Sequence, residues 1–217
     1  MLSNNGIVTT FTPEQEQVFL GTIFGDATLR SPRGRVSNSQ FEVKHRELDK
    51  EYLFWKYECL KLSGIFKRAP YPRISHLNGK QYPNWTLSSR HLPIFTLYRK
   101  LFYPGSRKVV LPELLDKLEL LGLAVWYMDD GHLSCFREGV PYPRVWLATM
   151  SFTYGENVMI RDWFDDKFGF HFHIYKVDRG ARWGLLSGRA GVEKFLAMLR
   201  PHAVLCMERK FKVLGGE

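Results

Sequence analysis

Cysteine is scarce in this chain. Cys59, Cys135 and Cys206 are the three among 217 residues, an odd number with no paired ligand spacing. A disulfide framework and a cysteine-based zinc knuckle are both excluded, and the thiols read as buried or incidental. Long apolar runs are lacking too. A stretch such as Leu120 to Met128 falls far short of the ~20 residues that cross a bilayer, so no membrane is expected as a partner. The N-terminal Met1-Leu2-Ser3-Asn4-Asn5 has neither the basic flank nor the apolar core of a signal peptide, and the chain reads as soluble and intracellular. Acidic residues are in deficit, 22 against 31 basic, for a net charge of +9. That balance favours a polyanionic partner, because each Lys or Arg meeting a phosphate releases condensed counterions.

The composition that remains, 45% hydrophobic and 15% aromatic, is that of a folded globular protein. The basic residues form no solid tail. They interleave with Ser, Asn, Gln, Thr and aromatics, a pattern suited to a surface that reads a nucleic-acid groove.

The chain is written twice. Thr12, Pro13 and Gln15 give an N-cap, a first helical residue and a capping box, followed by the apolar Val18-Phe19-Leu20-Gly21-Thr22-Ile23-Phe24-Gly25-Asp26-Ala27. Leu123-Ala124-Val125-Trp126-Tyr127-Met128-Asp129-Asp130-Gly131 repeats it, with the acids 130 − 26 = 104 positions apart. Strand-suited stretches follow, Thr28 to His45 and His132 to Thr153, each interrupted by a basic turn. Helices are expected over Arg46 to Ser63 and Tyr154 to Phe168. Hairpins follow: Tyr71 to Ser75 with Tyr82 to Ser88 turning at Asn78-Gly79, and His171 to Lys176 with Arg182 to Ser187 turning near Gly180. Each half closes with a helix (Leu92 to Phe102; Gly191 to Leu199) and a basic segment, around Lys108 or Lys210. The fold class is therefore mixed α+β, an α/β protein of two pseudo-symmetric αββαββα halves with antiparallel, saddle-shaped sheets and the two apolar helices paired at the interface. The first repeat is expected over residues 1–104, a linker over 105–112 and the second repeat over 113–217.

An Asp at the C-terminal end of an apolar helix is poorly placed for stability, since the macrodipole there is already negative. Two at matched positions call for a cation. With helix-end carbonyls nearby, a hard divalent ion such as Mg²⁺ or Mn²⁺ is the natural candidate. Such an ion polarises a phosphate and generates hydroxide from water. The plainer alternative is that each Asp merely ends its helix. Gly21 and Gly25 share a helix face and would permit close approach of another backbone, or ordinary tight packing within one half.

These residues resemble the two motifs of LAGLIDADG homing endonucleases, and Trp126-Tyr127-Met128-Asp129-Asp130-Gly131 looks especially like the single-chain intron-encoded members. The likeness runs from about Thr12 to Lys212. It implies a monomer seated in the DNA major groove that cuts both strands of a long asymmetric site with divalent metal, leaving 3′ overhangs. Carried over by position, Asp26 and Asp130 bind metal, with Gly25 and Asp129 beside them; Asp129 is read first as an outer or solvated carboxylate. Lys108 and Lys210 match basic residues near the attacked phosphate, and Gln40 matches a polar residue near the attacking water. Base and phosphate reading is expected from Arg33, Arg35, Ser37, Ser39, Glu42, Lys44, Arg73, Ser75, Gln81 and Asn84, and from Arg137, Arg144, Trp146, Lys176, Arg179 and Arg182. Phe24 and Met128 stand where the family's name has an acid, Val125 stands opposite Gly21, and Leu147 or Ala148 stands opposite Gln40. Two alternatives remain at this point: an intron maturase of the same fold, with intron RNA as partner, and a DNA-binding regulator that does not cut.

Overall fold

The computed structural model describes residues 11–32, 34–61, 65–137, 140–177 and 182–212, with the backbone alone at 77, 135–137 and 140–141. The chain forms two compact units, Met1–Leu101 and Phe102–Glu217. No helix among the described residues is long and apolar enough to cross a membrane.

The first unit begins with α1 (Pro13–Phe24). Thr12 accepts from the Gln15 amide, and the Gln15 side chain answers to the Thr12 amide, so the capping box forms as read from sequence. From Gln17 to Phe24 every residue is buried. That all-round burial explains why α1 lacks the polar face of a surface helix. Strands β1 (Thr28–Arg30) and β2 (Gln40–His45) follow. Next is a single 3-10 turn, Glu47–Asp49, and α2 (Lys50–Leu60), so the helix expected from Arg46 starts four residues later; the Ser63 end of that expectation lies outside the described residues. The hairpin of β3 (Tyr71–Leu77) and β4 (Lys80–His91) pairs Leu77 with Lys80 across Asn78-Gly79. Both turn residues have positive φ, 50° and 74°, the conformation a two-residue turn needs to match strand twist. The sheet order is β1-β2-β4-β3, all antiparallel, and α3 (Pro93–Phe102) ends the repeat. Phe19 of α1, Phe41 of β2 and Phe95 of α3 meet in the core, with ring centroids 5.6 to 6.0 Å apart.

The second unit opens with a helix that sequence did not reveal, α4 (Pro112–Asp116). Five residues are too few to show a period, and its Pro112 reads equally well as the end of a linker. The expected order then recurs: α5 (Leu120–Asp130), β5 (Gly131–Arg137), β6 (Val140–Leu147), α6 (Tyr154–Phe168), β7 (Phe172–Val177), β8 (Arg182–Ser187) and α7 (Val192–Leu199), with sheet order β5-β6-β8-β7. Strand structure ends at Leu147, short of the expected Thr153, because Thr153 caps α6 through a second capping box with Glu156. The basic segment near Lys210 is a 3-10 helix, Leu205–Lys210. Gly131 is required where α5 turns into β5: a Cβ there would lie 2.1 Å from the Tyr127 ring. Trp126, Phe164, Phe172 and Phe195 fill this core. Each unit thus carries an αββαββα order and one antiparallel four-stranded sheet.

Candidate active site and nucleic-acid interface

In the first unit Gly25 caps α1, donating its amide to the Gly21 carbonyl at 3.0 Å, and Asp26 follows at once. The Asp26 side chain is 39% exposed. One of its oxygens lies 3.4 Å from Nδ1 of His45, the last residue of β2. His45 is buried, and its other ring nitrogen sits 3.2 Å from the ammonium of Lys56, which is fully buried. Sequence reading missed both residues. A signal was present for the lysine: Leu53, Lys56 and Leu60 lie three and four apart on the buried stripe of α2, where a solvated residue does not belong.

In the second unit Asp129 and Asp130 are the last residues of α5, and both are half-buried. Lys210 donates to the carbonyls of Met128 at 2.5 Å and Asp129 at 2.9 Å. The Asp130 carbonyl accepts from the Ala148 amide at 3.0 Å. The helix-end carbonyls of α5 thus each accept one hydrogen bond, and the Asp129 and Asp130 carboxylates project from the same end. Lys210 meets the negative end of α5 as a C-terminal cation should, and the Tyr127 hydroxyl fixes its backbone by donating to the Lys210 carbonyl at 2.8 Å.

Lys108, matched by spacing to the first repeat, lies in a segment that packs on the second unit. Its neighbour Arg107 pairs with Glu156 at 2.7 Å, and the Val110 amide donates to the other Glu156 oxygen at 3.0 Å. Burial tends to raise the Glu156 carboxyl, but bonds from Thr153, Val110 and Arg107 outweigh it, and the group titrates below the usual range.

Register decides which expected DNA-reading residues share a surface. In the first sheet, pairing of Glu42 with Ser88, Lys44 with Thr86, Tyr71 with Thr86 and Arg73 with Asn84 puts all of these on one face, with Gln40 and Ser75. Arg30, Tyr71, Tyr82 and Ser88 belong to the same face and were not foreseen. Gln81 pairs with His76 and falls on the opposite face, the side where Trp85 meets Phe54 of α2. Two further expectations need correction. Ser39 is fully buried, its amide bonded to Thr96, and cannot touch DNA as placed. Glu42 is 4% exposed beneath Arg30 at 2.5 Å and Lys44 at 3.5 Å, so it orients those two cations instead of meeting a base. Gln40 spends its amide N–H on the Ser89 carbonyl at 2.7 Å. Asn84 donates to Ser75 at 2.8 Å. Arg35 and Ser37 are exposed in the β1–β2 loop, and Arg33 lies outside the described residues.

In the second sheet Arg144 and Trp146 of β6 share a face with Arg182, opposite the buried Val145 and Leu147. Arg144 Nε and Trp146 Nε1 are buried with no hydrogen-bond partner among the described residues. Lys176 pairs with Trp183, on the side where Trp183 meets Tyr154 of α6, so the expected role on the reading face is overturned by strand parity. Arg137 lies in β5, with its backbone alone described, and Arg179 lies outside the described residues.

A family model described as the LAGLIDADG DNA endonuclease family matches residues 16–191. The chain belongs to this family. LAGLIDADG relatives in solved structures share the fold: the homing endonuclease I-WcaI bound to its DNA recognition sequence superposes with a TM-score of 0.83 at 18% identity, covering 94% of this chain and 88% of that one. I-DmoI in complex with DNA and Mn superposes with a TM-score of 0.51 at 13% identity, over 88% and 99%. The DNA endonuclease I-ChuI of Chlamydomonas applanata is 24% identical over 226 residues, 95% of this chain and 97% of that protein. Protein RecA of Mycolicibacterium flavescens is 27% identical over 204 residues, 91% of this chain. The chain spans 46% of that RecA, about half the length of the relative.

Proposed function

We propose that this LAGLIDADG chain is a site-specific double-strand DNA endonuclease that uses a divalent metal ion, acts as a monomer and leaves 3′ overhangs. The observation that carries the reading is the repetition itself. Each unit carries an acid at the end of a buried apolar helix, Asp26 just past α1 and Asp130 as the last residue of α5, beside a sheet with one polar, cationic face. Similarity to I-ChuI over nearly all of both chains supports nuclease activity in a chain of this size. The match to less than half of RecA fits a nuclease module that also occurs inside a longer chain.

The donor set suits a hard divalent cation: the carboxylates of Asp26, Asp129 and Asp130, each partly exposed at its helix end. When bound, such an ion supplies Lewis acidity and an activated water for phosphodiester hydrolysis. The protein's own contribution is positioning. One acid from each unit serves one strand, and Lys210 holds the end of α5 where Asp129 and Asp130 project. Gln40 is fixed to the Ser89 carbonyl through its N–H and keeps its oxygen to orient a water. Arg30, Lys44, Arg73 and Arg182 grip phosphates or guanine edges. Lys108 is assigned to the attacked phosphate of the first unit's strand.

The test is incubation with a library of random duplexes, and with DNA joining the flanks of the gene, in Mg²⁺ and in EDTA. Enrichment of one family of cut sites with 3′ overhangs, in Mg²⁺ alone, is expected. Sequence-specific binding without cutting would make the protein a regulator, and promotion of intron splicing without DNA cutting would make it a maturase.

A further inference from the structure

Lys56 is a costly residue for its position. It lies on the apolar stripe of α2 between Leu53 and Leu60, fully buried, with its ammonium 4.4 Å from the Tyr52 ring centroid. A methionine would fill the same space without desolvating a charge, and such replacements are commonly neutral or stabilising. Stability alone therefore gives no reason for the lysine. What it touches does.

The Lys56 ammonium lies 3.2 Å from His45 Nε2. An ammonium can only donate, so Nε2 accepts and the ring's own proton resides on Nδ1. That nitrogen faces Asp26 at 3.4 Å. Tyr52 backs the imidazole, with ring centroids 5.3 Å apart, so the ring has little freedom to turn over. Three elements thus converge on one carboxylate: α2 supplies the lysine, the end of β2 the histidine, and the end of α1 the aspartate.

We propose that Lys56 and His45 are positioning residues for Asp26, and that His45 is not itself a metal ligand. A histidine beside an open aspartate invites the opposite reading. With Nε2 occupied by Lys56 and a proton on Nδ1, however, neither ring nitrogen has a lone pair to give a metal. The imidazole instead holds one oxygen of Asp26 and leaves the other for coordination, while the buried charge behind it strengthens that donation. The second unit differs at the position that matches His45. Thr149 stands at the same offset from its acid (149 − 130 = 19, 45 − 26 = 19) and forms a neutral buried pair with Asn157 at 2.5 Å.

The inference rests on the reading of Asp26 as a metal ligand, and its test does not require a known DNA target. The full chain, labelled with ¹⁵N-histidine, is placed in a long-range ¹H–¹⁵N experiment, and Mn²⁺ binding is measured by water-proton relaxation for wild type, Asp26→Asn, Lys56→Met, His45→Asn and His45→Leu. His45 is expected as the Nδ1–H tautomer. Lys56→Met should keep its melting temperature and weaken Mn²⁺ binding at the site lost in Asp26→Asn on the order of tenfold, the scale for removing an outer hydrogen-bonding partner. His45→Leu should do the same, while His45→Asn, whose amide N–H stands where Nδ1–H stood, should retain binding near the wild-type level. An Nε2–H tautomer in the wild type would overturn the proposal, and so would loss in His45→Asn equal to that in His45→Leu, or wild-type Mn²⁺ affinity in Lys56→Met. The tautomer is read from unmodified protein, so the proposal stays falsifiable even if a variant misfolds. The nuclease reading fails separately, through absence of Mg²⁺-dependent cutting by the wild-type chain.

Discussion

Lys210 caps Met128: its ammonium lies 2.5 Å from the Met128 carbonyl and ties the 3-10 helix Leu205–Lys210 to the helix bearing Asp130. The same ammonium reaches the Asp129 carbonyl at 2.9 Å. A residue that sequence assigns to phosphate chemistry is thus also a structural cation at a helix C-terminus, and the two roles make separable predictions.

Lys210→Met should cost about 1 kcal/mol of stability through the lost cap, lowering the melting temperature by about 2–4 °C in a chain of this length. If the lysine also acts on the reaction, single-turnover cutting should fall by roughly 10²-fold well below the melting range. Calorimetry and single-turnover kinetics on the same preparation check both; an unchanged melting temperature would remove the capping role.

Glu156 joins the Phe102–Val110 segment to α6 through Arg107 and Val110. Its carboxyl titrates below the ordinary range, so its contribution is complete above the unfolded value near ~4.3 and disappears as pH falls through the lower folded value. Glu156→Gln should therefore destabilise the protein by on the order of 1–3 kcal/mol at neutral pH. That gap should hold down to about pH 5 and narrow below about pH 4. Urea titrations of both proteins across this window decide it; a gap that widens on acidification would contradict the assignment.

What sequence showed of this protein follows from which signals are local. The Thr12 capping box and the Asn78-Gly79 turn depend on residues a few positions apart, and both stand where expected. The αββαββα order was legible because it occurs twice. Register was not: whether Gln81 or Asn84, Lys176 or Arg182 faces the polar side depends on which partner each strand residue meets, and a one-residue slip exchanges the faces. Burial of polar groups was also hidden. Glu42 reads as a surface acid until Arg30 and Lys44 are seen closing over it, and His45 acquires meaning when α2 brings Lys56 to its far nitrogen.

Burial, with Glu14 and Glu58 nearby, pushes the Cys59 thiol up to about 11. Its thiolate fraction at pH 8 is then on the order of 10⁻³, and alkylation should be correspondingly slow. Iodoacetamide labelling followed by peptide mass spectrometry should show a Cys59 rate still rising at pH 10. A plateau near pH 9 would show an ordinary exposed thiol.

The central claim is that Asp26 and Asp130 act on the reaction and not on recognition, which the polar sheet faces carry. The most direct measurement is on Asp26→Asn and Asp130→Asn with the DNA site selected by the wild type, comparing equilibrium binding with strand-specific cutting in Mg²⁺. Each variant is expected to bind with most of the wild-type affinity and to lose double-strand cleavage, because the face contacts remain while metal-dependent charge stabilisation is gone. Double-strand cleavage at the wild-type rate by either variant would contradict the account.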